Sequence, residues 1–181
     1  MITTYFYSNV NHHWSLRNSK IDTVTIHCSV GLASSFSIAR YLDTMTSDCS
    51  ANYIIGKDGD ITTMIPEKYR SWCSSNPEND DRSITIEVAS ESDVPYKVPT
   101  SAMAALLDLL VDICSRHGFK LKWSWYANER RNHIGGCNMT VHRDYANKSC
   151  PGAFLYDNMQ AIADTVNRRL NDMVSDFVPR F

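Results

Sequence analysis

The stretch SANYIIGKDGDITTMIPE, residues 50–67, leaves the chain little local choice. Two short apolar and β-branched runs flank Lys57-Asp58-Gly59, and Gly59 can supply the positive φ that a tight turn demands. This is the clearest hairpin signal in the sequence, so a sheet must be part of the fold. DTVTIHCS (22–29) alternates and is β-branched, which reads as a further strand ending at His27 and Cys28. DRSITIEVAS (81–90) reads as another, with Ile84, Ile86 and Val88 on one face and Thr85 and Glu87 on the other.

Helical spacing fills the gaps between these strands. FSIARYLDTM (36–45) predicts a helix whose inward stripe is Phe36, Ala39 or Arg40, Tyr41, Leu42 and Met45. From Thr100, as N-cap, a second helix carries Met103, Leu106, Leu107, Leu110, Val111 and Cys114 and stops near Gly118. Between 119 and 141 the periodicity is lost, and NHIGGCN reads as loop. After Pro151 a last helix carries Phe154, Leu155, Met159, Ile162, Val166 and Leu170. The first twenty residues read as an irregular arm. The order predicts one α/β domain, a small mixed β-sheet flanked by helices.

Composition narrows the partners. A formal net charge of −2 argues against nucleic acid, which needs a concentrated basic surface. Arg130-Arg131 and Arg168-Arg169 read as solvated faces. No apolar run approaches the eighteen residues of a membrane span, and the N-terminus lacks the pattern of a secretory leader. The six cysteines include no CxxC pair, which removes thioredoxin-like and zinc-ribbon readings. Cys28, Cys49, Cys73, Cys114 and Cys137 read as reduced structural thiols, with Cys28 facing away from His27 if the strand continues.

HRDYANKSC (142–150) gathers an imidazole, an ammonium and a thiol around one turn. A catalytic zinc takes three protein ligands and leaves one position open. His27 at a strand end, His142 entering the turn and Cys150 leaving it could supply them. In a chain with six histidines and six cysteines such a spacing also arises by chance, so the residues alone leave both readings open. His133, in the loop before Gly135-Gly136, is a rival ligand or a substrate contact. Trp123, Trp125 and Tyr126 suit either a core or a groove.

Four blocks, TVTIHCS (23–29), SANYIIGKDGDI (50–61), RSITIEVAS (82–90) and VHRDYANKSCPG (141–152), occur in the order found in the zinc-dependent N-acetylmuramoyl-L-alanine amidases. The chain resembles that family over roughly residues 20 to 170. The resemblance implies Zn²⁺ on His27, His142 and Cys150, where many members have aspartate in place of the cysteine. It implies Glu87 as general base, Lys148 as oxyanion partner, Tyr53 as a catalytic residue near the metal that shares or divides the base role with Glu87, and Trp72 as a wall of the substrate groove. The implied substrate is bacterial peptidoglycan, cut between N-acetylmuramic acid and L-alanine. The alternatives are a peptidoglycan receptor without catalysis or a zinc peptidase acting on the stem peptide. On this reading residues 1–20 are an arm, 21–172 the catalytic domain, and 173–181 a tail or the start of a linker to a wall-binding module. A monomer acting at the cell wall is expected, with no membrane or nucleic-acid partner; without a leader, it would be made in a host cytoplasm before phage-mediated release, or be a secreted autolysin whose leader is absent.

Overall fold

A computed structural model describes residues 4–6, 13–44 and 48–176. In chain order the elements are β1 (Thr4–Tyr5), β2 (Trp14–Leu16), β3 (Thr23–Cys28), α1 (Ser35–Leu42), β4 (Tyr53–Ile55), β5 (Ile61–Thr63) and β6 (Tyr69–Ser71). There follow α2 (Pro77–Arg82), β7 (Ser83–Val88), α3 (Thr100–His117), α4 (Ala127–Arg131), β8 (Met139–Val141) and α5 (Gly152–Asp176). Six strands form one sheet in the order β1-β5-β4-β7-β3-β8, and β2 and β6 pair in a separate two-stranded ribbon. The pairings β4–β7, β7–β3 and β3–β8 are parallel, and the β4–β5 hairpin is antiparallel. Gly59 sits at φ +86° in the hairpin turn, the backbone region expected of it.

Alternation at period two divides the sheet into two unlike faces. Val24, Ile26, Ile84, Ile86 and Val88 point to one side, where α3 and α5 lay Leu106, Leu109, Leu110, Ile113, Leu155, Met159 and Val166 over them. Burying each such side chain stabilises the fold by about 1.5–3 kcal/mol. The other side carries Thr23, Thr25, His27, Thr85 and Glu87, all buried. The hydroxyls of Thr25 and Thr85 are met within the protein: Thr25 Oγ1 lies 2.8 Å from Thr140 Oγ1 and receives a bond from Asn79 Nδ2 at 2.9 Å. Thr85 Oγ1 lies 2.6 Å from Ser71 Oγ. Asn79 reaches that network from α2, whose N-cap Asn76 accepts the Asn79 backbone N–H.

Several local expectations change. In α1 the buried stripe is Ser35, Ile38, Ala39 and Leu42, while Phe36 is 46% and Tyr41 72% exposed. Ser35 faces inward because its hydroxyl and backbone N–H both bond the Asp60 carboxylate. Met45 lies outside the described residues. Pro99 rather than Thr100 is the N-cap of α3, whose buried stripe includes Ala102, Leu109 and Ile113; the expected stop at Gly118 is there, in the left-handed region. The 119–141 stretch holds α4, a 3₁₀ turn and β8, the last pairing with β3. The N-terminal arm contributes β1 and β2. It is docked by Arg17, whose guanidinium donates to the carbonyls of Glu67, Tyr69, Asp80, Asp81 and Ser83.

Arg130 is a clearer correction. It does not lie on a solvated face: it is 1% exposed, ion-paired with the buried Asp144, and its guanidinium lies 4.2 Å over the Trp123 ring. Asp144 also accepts the Val141 backbone N–H. This pair ties α4 to the start of the HRDYANKSC turn. Trp123 is core, whereas Trp125 and Tyr126 are exposed. Among the described residues no helix is long and apolar enough to cross a membrane.

Candidate metal centre

Parallel strands place their C-terminal ends together, and that edge is where the reactive side chains meet. His27 on β3 and Glu87 on β7 are register partners, so they sit side by side on the polar face. The loop after β8 then brings His142 and Cys150 across the end of β3. His27 Nδ1 lies 3.4 Å from Cys150 Sγ, and the His27 and His142 ring centres are 5.1 Å apart. Ligand atoms of His27, His142 and Cys150 all fall within 4.8 Å of one another. Tetrahedral zinc with nitrogen and sulfur donors at their usual bond lengths needs donors roughly 3.4–3.6 Å apart, so small side-chain movements suffice.

The surroundings suit a cation. Burial pushes the His27 imidazole down to about 3, with His142 adding to the effect, which keeps it neutral and able to donate a lone pair. Burial, then the Lys148 charge, lowers His142. His27 Nε2 and Glu87 Oε2 are buried with no hydrogen-bond partner. Glu87 Oε1 stands 3.9 Å from His27 Nδ1, too far for a hydrogen bond, and the neutral imidazole makes this no ion pair. Burial raises the Glu87 carboxyl well above the usual range, opposed by a bond from the Cys73 thiol at 3.7 Å.

His27, Cys73 and Glu87 form a second set within the same 4.8 Å limit. All three are buried, and Cys73, which borders the same cleft as His142, already bonds Glu87. The first set has two half-buried members, and His142 opens onto a cleft of about 460 Å³. Its two half-buried members make the first set the more open of the two, as catalysis at a metal requires.

The same cleft is lined by Trp72, Cys73, Ser75 and Lys148. Ser75 Oγ lies 3.0 Å from His142 Nε2. Gly152, just past Cys150, has φ +82°, and a Cβ there would stand 2.7 Å from Tyr96. Glycine is therefore required for the turn that delivers Cys150. Cys28 belongs to the helix-side core, at the strand end that the ligand loop crosses.

Two sequence candidates stand elsewhere. Tyr53 pairs with Ile86, not Glu87, so its side chain lies on the helix face and donates to Glu67 Oε1 at 2.6 Å. The structure therefore does not bring Tyr53 to the metal ligands. His133 lies beside a separate cavity of about 330 Å³ with Arg82, Arg131 and Tyr145, and its Nδ1 bonds the Cys137 carbonyl. Residues that sequence reasoning passed over are Cys73 and Ser75, carried by a loop that Asp80 holds through the Cys73 and Ser74 N–H groups.

The Tyr53 cluster is a stability element. Burial alone would raise Glu67, but bonds from Arg116, Tyr53 and His117 outweigh it and hold the carboxyl at about 2. Its folded value lies below its unfolded one, so the contribution is complete above the ordinary carboxylate range and is lost as pH falls toward about 2. Glu67→Gln is expected to cost on the order of 2 kcal/mol at neutral pH, discounted for the partly exposed Arg116. Urea unfolding should show the gap from wild type shrinking below about pH 5; a pH-independent gap would remove the ionic origin.

Comparisons with known proteins bear on the family and the fold. The family model described as N-acetylmuramoyl-L-alanine amidase matches residues 17–153. Comparison with curated protein sequences finds no match. Among solved structures, the Staphylococcus aureus hydrolase AmiA in complex with its ligand is similar at TM-score 0.72 and 16% identity, over 99% of this chain and 88% of that one. PlyL is similar at TM-score 0.66 and 16% identity, over 92% and 97%. The N-acetylmuramoyl-L-alanine amidase LysC from Clostridium intestinale is similar at TM-score 0.64 and 18% identity, over 89% and 96%. At these identities the solved structures speak for the fold, and the family model, which spans most of the chain, speaks for kinship: the protein belongs to the N-acetylmuramoyl-L-alanine amidase family.

Proposed function

We propose that the protein hydrolyses the amide between N-acetylmuramic acid and L-alanine in bacterial peptidoglycan, with Zn²⁺ held by His27, His142 and Cys150. The observation that carries this reading is the meeting of those three donors beside the Glu87 carboxylate at the cleft. Zinc, when bound, supplies a Lewis acid for the scissile carbonyl and makes water acidic enough to react near neutrality. Two neutral imidazoles and one thiolate leave that centre a net positive charge.

The chain's own groups complete the chemistry. Glu87 takes a proton from the attacking water and returns it to the departing amine of L-alanine. Its burial beside His27 keeps bulk water from competing for that proton. Lys148 on the cleft wall places positive charge where the carbonyl oxygen becomes negative. Trp72, 38% exposed on the same wall, gives the substrate an apolar face to lie against. The protein's place of action is then the cell wall.

Digestion of purified walls tests the reading. New free L-alanine amines without new reducing sugars, lost on chelation and restored by Zn²⁺, are expected. New reducing ends, or stem-peptide cleavage alone, would overturn it.

A further inference from the structure

We propose that Cys49 and Cys73 form a thiol–disulfide switch in the cleft wall, closing on one another and withdrawing the hydrogen bond that Cys73 gives to Glu87. Both line the cleft that His142 and Lys148 also border. Two bonds fix their segments side by side. The Ser50 N–H donates to the Trp72 carbonyl at 2.8 Å, and the Trp72 N–H donates to Ser50 Oγ at 3.0 Å. Cys49 and Cys73 flank that pair, one on each segment, and both are free thiols. A disulfide needs Cα atoms about 4.4–6.8 Å apart, the range that laterally paired extended segments provide. The Asp80 carboxylate, accepting the Cys73 and Ser74 N–H groups, keeps the receiving side in place.

Exposure sets the order of events. Cys49 is half-buried and Cys73 buried, so an oxidant meets Cys49 first. With a small disulfide such as oxidised glutathione, Cys49 Sγ attacks one sulfur and expels the first glutathione thiolate. Cys73 Sγ then attacks Cys49 Sγ, forming the Cys49–Cys73 bond and expelling the second. The two cysteine protons end on the two glutathione thiols, so two cysteines are oxidised and one disulfide is reduced. Cys28 and Cys150 are also in contact, but a thiolate engaged as a metal ligand is shielded from the same attack.

Once bridged, Cys73 has no S–H to donate, and Glu87 loses its bonded partner inside the protein. The consequence for turnover rests on the amidase reading; formation of the bond does not. The test uses the zinc-loaded full chain in glutathione redox buffers, followed by alkylation, peptide mapping, zinc analysis and wall digestion. A linked Cys49–Cys73 peptide pair is expected, with zinc retained and turnover lowered roughly tenfold, the size of one lost bond to a charged group. Dithiothreitol should restore it. In Cys49→Ser the ratio of oxidised to reduced activity should stay near one. A Cys28–Cys150 link with zinc loss, no link at all, or a Cys49–Cys73 link without effect on turnover would each overturn the switch. Formation of the linked pair on oxidation, in a protein whose reduced form cuts no amide, would fail the amidase reading and leave the bond itself established.

Discussion

Cys150→Ala is expected to lose stoichiometric zinc by metal analysis and to lower wall-degrading turnover by at least about a thousandfold. The reason is geometric. Cys150 Sγ stands 3.4 Å from His27 Nδ1, and without it only His27 and His142 remain of the cleft-facing set. Changes to groups that merely orient ligands already weaken metal binding by about 10–100-fold, and deleting a ligand removes more. Cys150→Asp separates this from simple misfolding, because a carboxylate is a competent zinc ligand and should recover part of the metal and the activity. Full zinc retention in Cys150→Ala would refute the ligand assignment and turn attention to the His27–Cys73–Glu87 set.

Glu87→Gln is expected to behave differently, keeping zinc and the fold while turnover falls by about 10²–10⁴-fold. The amide fills the same space and can accept the Cys73 thiol bond, so the buried environment survives. It cannot carry a proton between water and the leaving amine. Thermal unfolding should be unchanged or slightly improved, since burying the carboxylate next to His27 is unfavourable for its charge. Near-normal turnover would take Glu87 out of the chemistry. It would not hand the role to Tyr53, which lies on the other side of the sheet.

Much of this was legible in the chain because alternation is a physical requirement of a strand with two unlike faces. DTVTIHCS and RSITIEV alternate cleanly, so the partition of His27 and Glu87 from the isoleucines could be read directly. Tyr-Ile-Ile in β4 is apolar throughout and buried on both sides, so nothing local told which face Tyr53 occupies. The register with β7 decided it. Arg130 was illegible for a related reason: its partner Asp144 is fourteen residues away, and burial of a guanidinium is tolerable only once that pairing exists. β8 was hidden by its brevity, three residues between a glycine-rich loop and the ligand turn. In α1 the small polar Ser35 took an inward position because Asp60 was waiting for it, displacing Phe36 to the surface.

The two-faced sheet also governs which errors the sequence can survive. A substitution on the helix side draws on core packing, and one at His27 or Glu87 on the polar side draws chiefly on chemistry. An insertion or deletion of one residue within β3 or β7 would be of another kind, because it inverts every later side chain of that strand. His27 or Glu87 would then point into the leucines of α3, while an isoleucine would fill the place of the metal ligand or its carboxylate neighbour. Core and catalytic capacity would fail together. These two strands should therefore tolerate varied residues of matching polarity and admit no change of length.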